Sequence, residues 1–178
     1  MPGIGLDDFK RAMRALPAQV AVISAASDEG RIAMTATAVT SLSAEPPQLL
    51  VCVHRMARPA AVIRAAGAFA VNLVHAGQVD VATQCALPGL DPERRFDKGD
   101  WTRSALTGQP LLEDAMVSFD CHLASQSEQG THHVFVGRIE AVRFGAGSPL
   151  LYHDASYRHI GDRLDALHLD WDSTGLGF

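Results

Sequence analysis

The strongest constraint on this chain is its punctuation: short apolar runs rich in Val, Ile and Ala are set apart by Gly, Pro, Asp and Ser. Runs of that length read as strands, and their spacing leaves room for only two or three short helices. Residues 19–24 (QVAVIS) and 31–39 flank the turn Asp28-Glu29-Gly30 and form a predicted hairpin. Residues 41–47, with Pro46-Pro47, read as a loop before a strand over 49–53. A helix after Pro59 is expected to end near Gly67, followed by a strand over 69–74, a helix over 78–87 stopped by Pro88-Gly89, and a long loop over 91–108. Two clear strands, 117–125 and 134–143, are separated by the turn-rich SQSEQGT, and a last apolar run covers 150–152. Asp7-Asp8 can cap a first short helix whose stripe Phe9, Met13 and Leu16 runs to Pro17, and this helix reads as a lid. The expected architecture is a mainly β domain over residues 1–160, built as a closed or half-closed antiparallel barrel. Residues 161–178 read as a C-terminal tail, either loosely ordered or draped on a partner subunit.

Charge and composition narrow the function. Fifteen Lys and Arg against 20 Asp and Glu leave a net charge of −5, which offers no basic surface for nucleic acid. No apolar run is long enough to cross a bilayer, and the glycine-broken, acidic start MPGIGLDDFK is unlike a secretory signal, so no membrane is expected and the cytoplasm is the expected location. Cys52, Cys85 and Cys121 have no C-x-x-C spacing and read as buried thiols, not metal ligands. Only Lys10 and Lys98 are lysines, so arginine, the better planar donor to phosphate oxygens, carries nearly all the positive charge.

The common nucleotide-loop, metalloprotease and hydrolase signatures are absent. Three subtler features stand out. In Met34-Thr35-Ala36-Thr37-Ala38-Val39-Thr40-Ser41, small residues would let the backbone approach a flat ligand while hydroxyls line its polar edge; the same run also reads as a strand with surface threonines. In Val53-His54-Arg55-Met56-Ala57-Arg58-Pro59, a strand end carries a His and two Arg into a helix start, which makes either an anion site or a solvated basic turn. Gly130-Thr131-His132-His133 precedes a strand; adjacent strand residues face opposite ways, so the two histidines do not read as one metal chelate, and no metal site is expected.

Taken in order, MTATAVTSLSAEPPQLLVCVHR, AFAVNLV, RRF with Trp101, VSFDCHL, GTHHVFVGRIEAV and PLLYHDASYR resemble the flavin reductase family of split β-barrel proteins, over about residues 6–160. Within it the chain is most similar to reductase components of two-component aromatic monooxygenases. The resemblance implies a six-stranded antiparallel Greek-key split β-barrel with a few short peripheral helices. It implies a homodimer that uses NADH or NADPH to reduce FMN or FAD, with a monooxygenase as the partner receiving reduced flavin. Carried across, Thr35, Ala36, Thr37, Ala38, Val39, Thr40 and Ser41 would lie along the flavin ring and ribityl chain. Val53, His54, Arg55, Ala57 and Arg58 would take its phosphate, and Phe96 would pack nearby. His132 would be the catalytic-site histidine that orients the nicotinamide nucleotide, with Tyr152 and Arg158 at the end of the same pocket. Relatives carry a Ser/Thr run where this chain has His54, Met56, Ala57 and Pro59, so Arg55, Arg58 and backbone N–H groups would replace those hydroxyls. The alternative is a non-catalytic flavin- or haem-binding split-barrel protein.

Overall fold

A computed structural model describes residues 3–161; the expected tail beyond Gly161 lies outside the described residues. The elements are α1 (Leu6–Arg14), β1 (Ala18–Gln19), β2 (Ala21–Ser27), β3 (Gly30–Ala36), β4 (Val39–Ala44), β5 (Pro47–His54), α2 (Arg58–Ala66), β6 (Ala68–Leu73), α3 (Val79–Ala86), β7 (Trp101–Arg103), β8 (Pro110–Leu112), β9 (Val117–Gln129), β10 (His132–Phe144), β11 (Leu150–His153) and β12 (Ser156–His159). Single 3-10 turns cover Ala76–Gln78 and Glu93–Phe96. Seven strands form the main sheet in the order β3-β2-β6-β9-β10-β5-β4, with small sheets β1-β11-β12 and β7-β8 beside it, and every ladder is antiparallel.

The two edges of this sheet, β3 and β4, are consecutive in the chain, joined only by Thr37 and Ala38. Three Cα steps reach at most about 11 Å, so the edges are drawn together and the sheet must curl. No β3–β4 ladder closes the seam among the described residues. This corrects the expectation of a six-stranded Greek-key barrel: the main sheet has seven strands and is not closed. The extra strand comes from the predicted strand over 31–39, which breaks at residues 37–38. Thr40, Ser41 and Ser43, the last two within the stretch read as loop, then pair with β5 as an edge strand. Edge strands tolerate Ser and Thr because their outer side is wetted.

Period-2 alternation along β2 and β3 builds a core on each face of the sheet. Ala21, Ile23, Ala25 and Ile32 point into the curl with Val51, Val53, Phe69, Val71 and Phe135, where α2 adds Ala60, Val62 and Ile63. Val20, Val22 and Ala33 point outward and are covered by Val81, Ala82 and Cys85 of α3 and by Leu112 of β8. Gly137 is required inside the curl: a Cβ there would lie 2.6 Å from the Phe69 ring and 2.9 Å from Cys121 Cβ. The outer core is stitched by one fully buried amide. Asn72 Nδ2 donates to Val22 O (3.0 Å) and Ser24 Oγ (3.1 Å), while its Oδ1 accepts from Leu112 N (3.0 Å) and Ser118 Oγ (2.9 Å).

α2 begins with Pro59 in its first turn and ends at Gly67 (φ 62°), as its sequence dictates. The polar SQSEQGT segment is another correction. Residues through Gln129 stay in β9, and β10 restarts at His132, so only Gly130 and Thr131 make the turn. Its Ser and Gln residues are exposed yet held by the β10 ladder. α1 has Gly5, not an aspartate, as its N-cap and buries none of its residues; Phe9, Met13 and Leu16 remain about half exposed. It lies beside the fold and covers no part of the large cavity described below.

Removing the Asn72 side chain strands several buried partners at once. Asn72→Ala should lower the unfolding free energy by about 3 kcal/mol, read by urea denaturation, since each buried group left unpaired costs about 1–3 kcal/mol. Burial pushes the thiols of Cys85 and Cys121 up to about 12, in Cys121 with the help of the nearby Asp120 and Glu140 charges. Because these folded-state values exceed the ordinary thiol value, the stability they contribute is whole below it and is lost as pH rises from about 9 towards 12. At pH 8 a thiol reagent should label Cys85 and Cys121 only after denaturant is added, as a mass-resolved labelling time course would show.

Candidate functional site

Along the free β3 edge of the sheet, a cavity of about 590 Å³ opens to solvent. Its floor is Ile32, Ala33, Met34, Thr35 and Ala36 of β3 with Thr37. One wall is the start of α2 (Ala57, Arg58, Pro59), another the segment after α3 (Leu87, Pro88, Leu90, Pro92) with Arg95, and Tyr152 and Tyr157 close an end. Because β3 is an edge strand, every second residue turns its N–H and C=O away from β2 and leaves them free for a ligand. The small side chains Ala33 and Ala36 leave that backbone approachable.

Six of the residues expected from sequence meet here: Thr35, Ala36, Thr37, Ala57, Arg58 and Tyr152. Thr35 Oγ1 donates to Ala82 O (2.6 Å), so its hydroxyl proton is committed to α3 and only its lone pairs face a ligand. Val39, Thr40 and Ser41 lie past the seam and line a separate apolar hollow of about 230 Å³ with Leu49, Leu73 and Phe119. Ala38 sits in the seam itself, its carbonyl accepting from Cys52 N (3.0 Å). Val53 is fully buried inside the curl.

His54, Arg55 and His132 do not line the cavity. His54 and His132 are register partners across β5 and β10, their rings 5.3 Å apart and edge to face. Met56 N donates to His54 Nδ1 (3.3 Å), and His54 O accepts from Ala57 N (2.9 Å), which ties this pair to the cavity wall. Arg55 pairs with Glu128 at 2.6 Å. Among the described residues, no group of three or more His, Cys, Asp or Glu could hold a metal.

Two expected residues sit one position from a cavity-lining neighbour. Phe96 turns into the outer core against Trp101 (4.9 Å between centroids), while Arg95 lines the cavity. Arg158 is exposed, while its neighbour Tyr157 lines the cavity and meets Tyr152 edge to face at 5.6 Å. Sequence reasoning also missed Leu87, Leu90 and Pro92. For Leu90 the signal was present: an apolar residue between Pro88 and Pro92, with no strand or helix period around it, has no core of its own to join.

The chemistry of the lining is one-sided. Arg58 and Arg95 are its charged groups, and no Asp or Glu lines it. Arg95 donates to Cys85 O and, at 2.7 Å, to Leu87 O, so its guanidinium is fixed by the carbonyls that end α3. Arg58 opens α2, where Pro59 has no N–H and Ala60 N donates to Ala57 O (3.0 Å), so the Arg58 guanidinium and its own N–H are what the helix start offers an anion. The Cys85 thiol in the wall is held neutral by burial against the opposing pull of Arg95. A flat, partly apolar ligand carrying a phosphate fits this donor set and this volume.

Residues 13–161 match the flavin reductase like domain family. The FMN reductase (NADH) RutF of Variovorax paradoxus (strain S110) is 39% identical over 155 residues, covering 86% of this chain and 84% of the relative. Among solved structures, BorF, the flavin reductase component of a bacterial two-component tryptophan halogenase, superposes with a TM-score of 0.82 at 31% identity, covering 89% of this chain and all of BorF. The Streptomyces globisporus C-1027 NADH:FAD oxidoreductase SgcE6 gives 0.80 at 27% identity, covering 91% of this chain and 99% of that one. With its curled sheet, its cation-lined cavity and a family match across 149 of its 178 residues, this chain belongs to the flavin reductase like domain family.

Proposed function

We propose that this chain is an NADH-dependent flavin reductase that delivers reduced flavin to a separate oxygenase. The observation that carries the reading is the 590 Å³ cavity with two arginines, no carboxylate and an edge-strand floor. The names of its relatives, an NADH-dependent FMN reductase and a reductase component of a two-component halogenase, agree with that chemistry. When bound, the flavin supplies a ring that accepts hydride, and the nicotinamide nucleotide supplies the hydride.

Each residue then has a task. Arg58, with its guanidinium and its N–H at the start of α2, would hold the flavin phosphate. Free amides of the β3 edge near Thr35 and Thr37 would be the donors for the polar edge of a bound flavin and would stabilise its reduced, anionic form. Arg95 adds a fixed positive charge on the opposite wall, and Tyr152 with Tyr157 supplies an aromatic end. His132 orients the nicotinamide nucleotide and transfers no proton. The open rim suits a flavin that must leave: a micromolar dissociation constant corresponds to about 8 kcal/mol.

The curled sheet with its gap at Thr37–Ala38 supports reading the fold as a split barrel and residues 1–160 as one domain. The half-exposed apolar stripe of α1 supports a homodimer. Free cysteines, three among the described residues, suit the reducing cytoplasm.

Loss of NADH absorbance at 340 nm on adding free FMN tests the whole reading. Protein that retains flavin through gel filtration and leaves NADH intact would instead be a binding module. His132→Ala should raise the KM for NADH with little change in kcat; a collapse of kcat alone contradicts the orienting role. Arg58→Ala removes a charged hydrogen bond, so the KM for flavin should rise about tenfold or more, while Arg58→Lys should recover part of the loss.

A further inference from the structure

The end of β5 and the start of β10 lie side by side, β5 leading into the turn that opens α2 and β10 following the Gly130-Thr131 turn from β9. His54 and His132 are the last register pair of that ladder, their rings 5.3 Å apart at 81°. The next residue of β10 faces the other way. The His133 ring lies 5.6 Å from that of Phe135, and Arg64 Nη1 is 2.9 Å from His133 Nε2. Among the described residues, His54 is thus the one ring packed against His132.

The His54 ring is itself fixed. Met56 N–H can only donate, so the His54 Nδ1 that accepts it (3.3 Å) keeps its lone pair, and the neutral ring carries its proton on Nε2. An Asn side chain makes the same bond, two residues ahead, in an Asx turn; here an aromatic side chain makes it. The turn is closed again by Ala57 N donating to His54 O (2.9 Å). The opposite strand is tied to the same place. Arg55 N donates to Thr131 O (3.0 Å), the Arg55 guanidinium pairs with Glu128, and Thr131 Oγ1 lies 2.9 Å from His132 Nδ1. Nε2 is then the His132 ring nitrogen without a partner among the described residues.

We infer that His54 is the positioning residue of His132: its ring, locked by Met56 N, holds the His132 ring edge to face in one orientation, with Nε2 free for the nicotinamide nucleotide. This rests on the reading of His132 as the group that orients that nucleotide. The family resemblance assigned His54 to the flavin phosphate, whereas here it serves the nucleotide through its neighbour. Both rings sit on paired strands, so the contact fixes geometry at little entropic cost.

Two substitutions separate the ring from the turn. His54→Asn keeps an acceptor for Met56 N and removes the ring; His54→Phe keeps a ring and removes the acceptor. The order parameter of the His132 ring C–H groups, assigned by their disappearance in His132→Ala, should fall in His54→Asn and hold its wild-type value in His54→Phe. With NADH varied at saturating FMN, the loss of one aromatic pair should raise KM about fivefold in His54→Asn with kcat unchanged, while His54→Phe stays near wild type. The KM for FMN should not move. His54→Asn that leaves the His132 ring ordered or the KM for NADH unchanged overturns the inference, and so does a rise confined to FMN, which would return His54 to the phosphate. The reverse ranking, with His54→Asn silent and His54→Phe impaired, also overturns it, because the histidine would then serve the turn alone. If His132→Ala leaves the KM for NADH at wild-type level, the orienting role beneath fails, and the ring order of His132 in the two variants still decides whether His54 holds it.

Discussion

Two residues, Thr37 and Ala38, span the distance between the first and last strands of a seven-stranded sheet, and most of the architecture follows from that short tether. A sheet with its edges pulled together has an inside and an outside, so β2 and β3 must be apolar on both faces and still alternate between two cores. The inside is filled by aliphatic and aromatic side chains, with α2 packed against them. The outside needs α3 and the β7–β8 ribbon as cover, and the Asn72 amide fixes the approach of that cover by joining strands β2, β6 and β9 to Leu112.

The site is the remainder of this arrangement. Where α3 stops covering β3, the edge of the sheet is left bare, and the segment leaving α3 with the entry to α2 forms banks on either side. Positive charge arrives from both: Arg58 on the first turn of one helix, Arg95 on the last carbonyls of the other. The Arg95 guanidinium is set by the end of α3 and that of Arg58 by Glu29 O in the β2–β3 turn, and the cavity carries an anion-seeking potential in a chain whose net charge is negative.

Much of this was legible in the residues. The hairpin around Gly30, the Pro59-to-Gly67 helix and the antiparallel character follow from local chemistry that the tertiary fold does not oppose. The break at Thr37–Ala38 was not legible, because neither residue is a Pro or Gly and the need to turn there comes from the sheet as a whole. The extension of β9 and β10 was hidden for a related reason: a polar strand projecting past the core has no apolar alternation to reveal it, and its partner strand alone holds it. At the cavity, Ala36 was singled out for its small side chain and Thr37 for its hydroxyl, and both line it. Arg95 and Tyr157, which line the cavity, each stand next to a residue singled out from sequence, since a 3-10 turn and a four-residue strand give too few repeats to settle which neighbour faces inward.

Cys85 sits where a sulfur is most at risk, in the wall of a cavity assigned to electron-rich chemistry in a world containing dioxygen. Oxidation to sulfenic acid proceeds through the thiolate. By excluding water from this sulfur and so keeping its proton on, the same packing that closes α3 onto β3 leaves this wall little thiolate to oxidise.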